Sequence, residues 1–116
     1  MWIKIASFLL FAAVALGAFG AHALKEKLTP HYMDVYKTAV LYHMIHALGL
    51  FVIAWLSTTT TNPKIHLAGY FLLAGIILFS GSLYLLSTVG WKWLGPITPL
   101  GGLSFMIGWG ILFFVK

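Results

Sequence analysis

Two histidines pose the chemical question. The stretch AVLYHMIHALGLF, Ala39 to Phe51, carries His43 and His46 in an otherwise almost wholly apolar run. An imidazole in such a place has three uses. It can titrate near neutrality and pass a proton. It can ligate a metal or a haem iron. It can also hydrogen-bond to a hydroxyl on another helix and hold the two together. On a helix, Thr38, Tyr42, His46 and Gly49 fall within an arc of about 80°, with His43 about 60° from His46. Asp34 stands at the start of the same stripe. His46 lies about 16 Å into its helix, near the expected midplane, where polar groups face protein rather than lipid.

Further polar residues are expected to converge on the same half. His22 ends the first apolar run, Ser80, Tyr84, Ser87 and Thr88 occupy the last turns of the third, and Thr98 opens the fourth. His22, Thr38, Tyr42, His43, His46, Ser80, Tyr84 and Thr98 therefore form one candidate polar cluster, running from the surface at the 25–34 loop toward the bilayer centre. Three uses of it stay open. His46 acts as an internal clamp, bonded to a hydroxyl of the third helix. Or His46 gates a proton or small-solute pathway lined by Tyr42, Thr38 and Ser80. Or His22 and His46 hold a haem or metal.

The spacing argues against a zinc site, whose usual helical histidine pair is i, i+4 with a carboxylate between. Glu26 and Asp34 are the two acids of the chain, and both lie near the membrane edge. No metal site and no cofactor are expected. Hydrolysis lacks its parts too: there is no embedded acid pair, no cysteine and no Gly-x-Ser-x-Gly elbow. Pro99-Leu100-Gly101-Gly102 lacks the lysine of a phosphate loop. The expectation is a non-enzymatic protein.

The elements that position these residues follow from composition. Of 116 residues, 61% are hydrophobic and 8% charged, against about 25% charged in a soluble domain. A small soluble fold cannot hide so much apolar surface, so the solvent is lipid. The net charge of +5 comes from lysines 4, 25, 27, 37, 64, 92 and 116, scattered at segment ends, with no arginine. The bidentate fork that reads bases and phosphates is missing. A nucleic-acid partner is therefore rejected, and the lysines are expected to snorkel to the interface.

Four apolar segments, about 3–24, 35–56, 65–87 and 97–115, each match the roughly 17–25 residues that cross a hydrocarbon core as a helix. They do not alternate as barrel strands would. The fold class is all-α: a four-helix transmembrane bundle forming a single domain over 1–116, with short loops and antiparallel neighbours. Lys4, an apolar run and Ala21-His22-Ala23 imitate a signal peptide. The run of about 20 residues exceeds a signal core, so an uncleaved helix is expected.

Small residues mark packing seams. They are Ala13, Gly17 and Ala21 on the first helix, Ala68, Gly75 and Ser82 on the third, and Gly101, Ser104 and Gly108 on the fourth. Such seams join helices within the bundle, and one of them is expected to join protomers in a homo-oligomer. Lysines do not orient the chain, since three fall on the side of the termini and four on the other.

The strings Gly17-Ala18-Phe19-Gly20-Ala21-His22, Tyr42, His46-Ala47-Leu48, Leu78-Phe79-Ser80-Gly81-Ser82-Leu83-Tyr84, Ile97-Thr98-Pro99-Leu100-Gly101-Gly102 and Gly108-Trp109 occur in this order. Together they resemble a family of small membrane proteins catalogued as a domain of unknown function, number four-two-three. The resemblance implies a four-helix protein of bacterial inner membranes, with mitochondrial relatives. It brings no activity, substrate or cofactor. It also implies cytoplasmic termini, because relatives are more basic in the 57–64 loop and at the C-terminus; here Lys64 and Lys116 alone represent that feature. His22, Tyr42 and His46 match the family pattern, whereas position 43 is often glutamine in relatives. The resemblance thus favours His22 and His46 over the neighbouring pair His43 and His46.

Overall fold

A computed structural model describes residues 1–115. Four helices in it are long and apolar enough to cross a membrane: α1 (Trp2–His22), α2 (Pro30–Thr59), α3 (Lys64–Thr88) and α4 (Lys92–Phe114). No strand forms among the described residues. In lipid each segment must satisfy its own backbone donors and acceptors, and a helix does so.

The helix ends show where hydropathy and helicity part company. α2 begins at Pro30 rather than Val35 and ends at Thr59 rather than Leu56. At its start, Thr29 accepts the Tyr32 N–H at 3.2 Å, and Pro30 sits where a missing N–H is no loss. At its end, the hydroxyls of Ser57, Thr58 and Thr59 donate to the carbonyls of Ala54, Trp55 and Leu56. Polar residues that an apolar count assigns to loops thus serve as extra helical turns. Gly90, at φ +81°, turns the chain out of α3 in the left-handed region that glycine tolerates. α4 opens as a 3-10 turn over Lys92–Ile97, with Pro96 inside it, and becomes α-helical at Thr98. Trp91 and Trp93 stack on each other at this hairpin and are exposed, as interfacial tryptophans are.

α3 is not regular. Ile76–Ser80 is a π turn, in which the Gly81 N–H bonds to the Ile76 carbonyl. Such a turn shifts the residues after it around the helix axis. Ser80, fully buried, donates from there to the Ala39 carbonyl of α2 at 2.8 Å.

Packing is flattened, with extents of 48 × 27 × 17 Å. α1 lies mainly against α2, and α3 lies against both α2 and α4. Leu50 and Ile53 of α2, Ile65 and Leu72 of α3, Phe105 of α4 and Trp2 of α1 share one core. The Trp2 indole N–H donates to His66 Nδ1 at 2.9 Å, tying the start of α1 to α3. The buried seam of α2 is Tyr36, Ala39, His43, His46, Leu50 and Ile53, spaced alternately by three and four residues. Of the Thr38–Tyr42–His46–Gly49 stripe that helical angles pick out, His46 and Gly49 are buried on this side. Thr38 is half-buried and Tyr42 is exposed, because α2 packs on two sides and its contact face is rotated toward Tyr36 and His43.

The small-residue seams join helices of the same chain. Ala13 is fully buried, Gly17 faces Val40 and Gly20 faces the Tyr36 ring, all toward α2, while Ala21 is exposed. Gly75 faces the Phe105 ring. Gly101 lies directly on the Phe79 backbone, and Gly108 lies on Leu72 and the Ala68 carbonyl. Between these two glycines, Ser104 donates to the Phe71 carbonyl at 2.6 Å. α3 and α4 therefore approach closely along one line.

Candidate functional site

The polar residues do not form one cluster. The two intramembrane histidines sit in separate environments, and Thr38, Ser80, Thr98 and His22 belong to neither. Both histidines are buried on the α2 seam, yet each turns to a different neighbour.

His43 Nδ1 lies 2.8 Å from the Tyr84 hydroxyl of α3. Its Nε2 is buried with no hydrogen-bond partner. The Leu9 backbone of α1 lies beside the ring but lacks hydrogen-bond geometry to Nε2. Tyr84 also meets the Tyr36 ring edge-on, and the Tyr36 hydroxyl donates to the Leu16 carbonyl of α1. Three helices are thus linked through two phenols and one imidazole. Tyr36 was not picked out by the sequence; its seven-residue spacing from His43 was the available signal.

His46 faces α4. Its Nδ1 lies 2.8 Å from the Tyr42 carbonyl one turn back. A carbonyl only accepts, so Nδ1 carries the proton and Nε2 is left as a lone-pair acceptor. The ring stacks on Phe105, with centroids 3.5 Å apart and an interplanar angle of 12°, and lies near Trp109. His46 also lines a groove of about 630 Å³ between α2 and α4, with Tyr42, Phe79, Phe105, Met106 and Trp109. Its Nε2, unlike that of His43, is not among the sealed polar atoms. Sequence reasoning missed the aromatic half of this groove, because Phe79, Phe105 and Trp109 look like ordinary lipid-facing residues until the helices are docked.

The remaining candidates have local partners. Thr38 donates to the Asp34 carbonyl of its own helix at 3.0 Å. Thr98 meets Ser82 hydroxyl to hydroxyl at 2.7 Å, and Ser82 is also 2.9 Å from the Phe79 carbonyl. Ser80 serves the α2–α3 contact rather than either histidine. His22 is exposed at the end of α1. The neighbouring Gly20 is level with Tyr36, ten residues before His46, or about 15 Å along the axis. His22 and His46 therefore cannot share one ligand, which corrects the haem or metal pairing. Nor does any group of three His, Asp or Glu side chains stand ready to hold a metal among the described residues.

In chemical terms, the groove offers one imidazole acceptor, one thioether, one phenol and several aromatic faces. No carboxylate, serine or lysine lines it, so its lining suits a neutral molecule.

No solved structure matches the chain. Among known proteins, the chain is similar to the UPF0382 membrane protein YwdK of Bacillus subtilis (strain 168), 53% identical over 98 residues, which are 84% of this chain and 80% of that protein. A UPF0382 membrane protein of Staphylococcus epidermidis is 49% identical over 100 residues, 86% of this chain and 81% of its own length. One from Staphylococcus haemolyticus is 44% identical over 112 residues, covering 97% and 91%. Residues 16–102 match the family model described as "Protein of unknown function (DUF423)", and the chain belongs to that family of membrane proteins.

Proposed function

We propose that the protein acts as a non-enzymatic interaction protein of the bacterial plasma membrane, assembling with copies of itself in the bilayer. The observation that carries this is how unevenly the bundle covers its own helices. In the most apolar window of α2, 44% of the residues are buried, against 17% in α1 and 22% in α4. The two outer helices leave long faces free, and the molecule is a slab rather than a closed bundle. Most small residues of the seams are buried inside the chain, Ala21 excepted, so contact between copies falls mainly to the exposed side chains of these outer faces.

Read as four crossings, the four apolar helices leave the two ends of the described chain on one side of the membrane. We assign that side to the cytoplasm, as the family resemblance implies. The bacterial sources of the similar proteins and their description as membrane proteins support the location.

Amine-directed crosslinking in native membranes, followed by mass analysis, tests the assembly. The expected result is a discrete oligomer at low expression; monomer alone at every protein level contradicts it.

A further inference from the structure

We propose that the groove between α2 and α4 is a binding site for a neutral, lipid-soluble ring bearing a hydroxyl, of the phenol or quinol class. The His46 Nε2 atom accepts a hydrogen bond from that hydroxyl. This goes beyond the interaction role and does not depend on it.

Three features of the groove define the ligand. The first is the fixed tautomer of His46. Its Nδ1–H is held by the Tyr42 carbonyl at 2.8 Å, so the neutral ring offers a lone pair at Nε2. The residue is 5% exposed, and an acceptor this deep in an apolar site gains most from a donor that enters with its own apolar body. A hydrogen bond from the imidazole N–H to a backbone carbonyl also fixes the orientation of the ring.

The second feature is shape. The rings of Tyr42, Phe79, Phe105 and Trp109 converge on a volume of about 630 Å³. Aromatic faces and edges favour another flat ring over a flexible chain. Tyr42, 38% exposed at the rim, adds a hydroxyl that can donate to a second oxygen of such a ring.

The third feature is charge. No lysine, aspartate or glutamate lines the groove, so a carboxylate, a haem propionate or an ammonium would enter uncompensated. A neutral ligand that is already dissolved in the bilayer meets none of these costs. The exposed Leu103 and Met106 at the mouth face the region where lipid lies.

Gly102 supplies a structural control. It lines the groove, and a Cβ placed there meets only the Phe79 ring, at 3.9 Å. A Cβ is therefore accommodated at this position, and Gly102→Leu narrows the site from its lining.

The full chain in lipid nanodiscs is titrated anaerobically with a short-chain alkyl benzoquinol and, separately, with its dimethyl ether. Saturable quenching of tryptophan fluorescence is read as wild type minus Trp109→Phe. The quinol is expected to bind at least tenfold more tightly than the ether, which has no proton to donate. His46→Phe is expected to bring that ratio below twofold, and Gly102→Leu to abolish saturation. Should His46→Phe not fold, the quinol-to-ether ratio and Gly102→Leu still decide. Equal affinity for quinol and ether overturns the proposal. So does an absence of saturation, saturation that survives Gly102→Leu, or a Soret band in the purified protein that His46→Phe removes.

Discussion

His43 and Tyr84 form a cross-helix pair, 2.8 Å from Nδ1 to the phenol oxygen, that leaves the other ring nitrogen buried and unpartnered. Tyr84→Phe removes the one hydrogen bond this imidazole makes to another helix. A buried polar group left unmatched costs about 1–3 kcal/mol, so Tyr84→Phe should destabilise the bundle by about that much. The double change His43→Leu with Tyr84→Phe removes both partners and should cost less than Tyr84→Phe alone. Unfolding in detergent micelles, followed by circular dichroism, measures all three. A double variant less stable than Tyr84→Phe alone would show that the imidazole contributes packing rather than an unmet polar demand.

The glycines divide sharply by what stands opposite them. A Cβ on Gly101 would strike the Phe79 backbone, which has no rotamer with which to yield. Gly101→Ala should therefore cost about 1–3 kcal/mol, the range for overpacking a close contact. A Cβ on Gly81 meets nothing within 4 Å. Gly81→Ala should be neutral, or stabilising by about 0.4–1 kcal/mol through the unfolded chain. The same unfolding assay checks both, and equal losses would contradict the packing described for α3 and α4.

Ser80, the last residue of the π turn of α3, donates to the Ala39 carbonyl. Hydrogen bonds between membrane helices average about 0.6 kcal/mol. Ser80→Ala should therefore lower stability by about that amount, well below the effect of Gly101→Ala. A loss above about 2 kcal/mol would mean that the hydroxyl holds the π turn itself, and a shift in backbone amide NMR signals over Ile76–Ser80 would confirm it.

The spans were legible because hydropathy and length set them directly: Ile65 to Ser87 in sequence terms became Lys64–Thr88. Seams of small residues were legible as seams, but their partners were not. Gly101 and Gly108 show no preference for α3 over a second chain until the helices dock. Tyr36 escaped notice because the polar stripe was traced at four-residue steps, whereas the buried seam alternates three and four. The residues around His43 and His46 do not say which neighbouring helix each ring meets. In the structure His43 turns toward Tyr84 and His46 toward Phe105. Local spacing carries no information about that. The π turn is likewise invisible in Ile76–Ser80, whose residues favour an ordinary helix as readily. Finally, His22 and His46 were joined by their shared place in a family pattern, and the geometry keeps them apart.

The claim that copies of this chain meet through their outer helices can be read position by position. The chain has no cysteine, so each single substitution gives an unambiguous disulfide. Cysteines placed one at a time along α1 in native membranes, then oxidised, should yield dimers at the exposed positions Phe11, Val14 and Ala18, and none at the buried Ala6 and Ala13. The same scan on α4 should favour Met106 and Phe113 over Gly101 and Ser104. Dimers that recur with helical periodicity on at least one of these two faces are the predicted result. Monomer at every position on both helices would contradict the account.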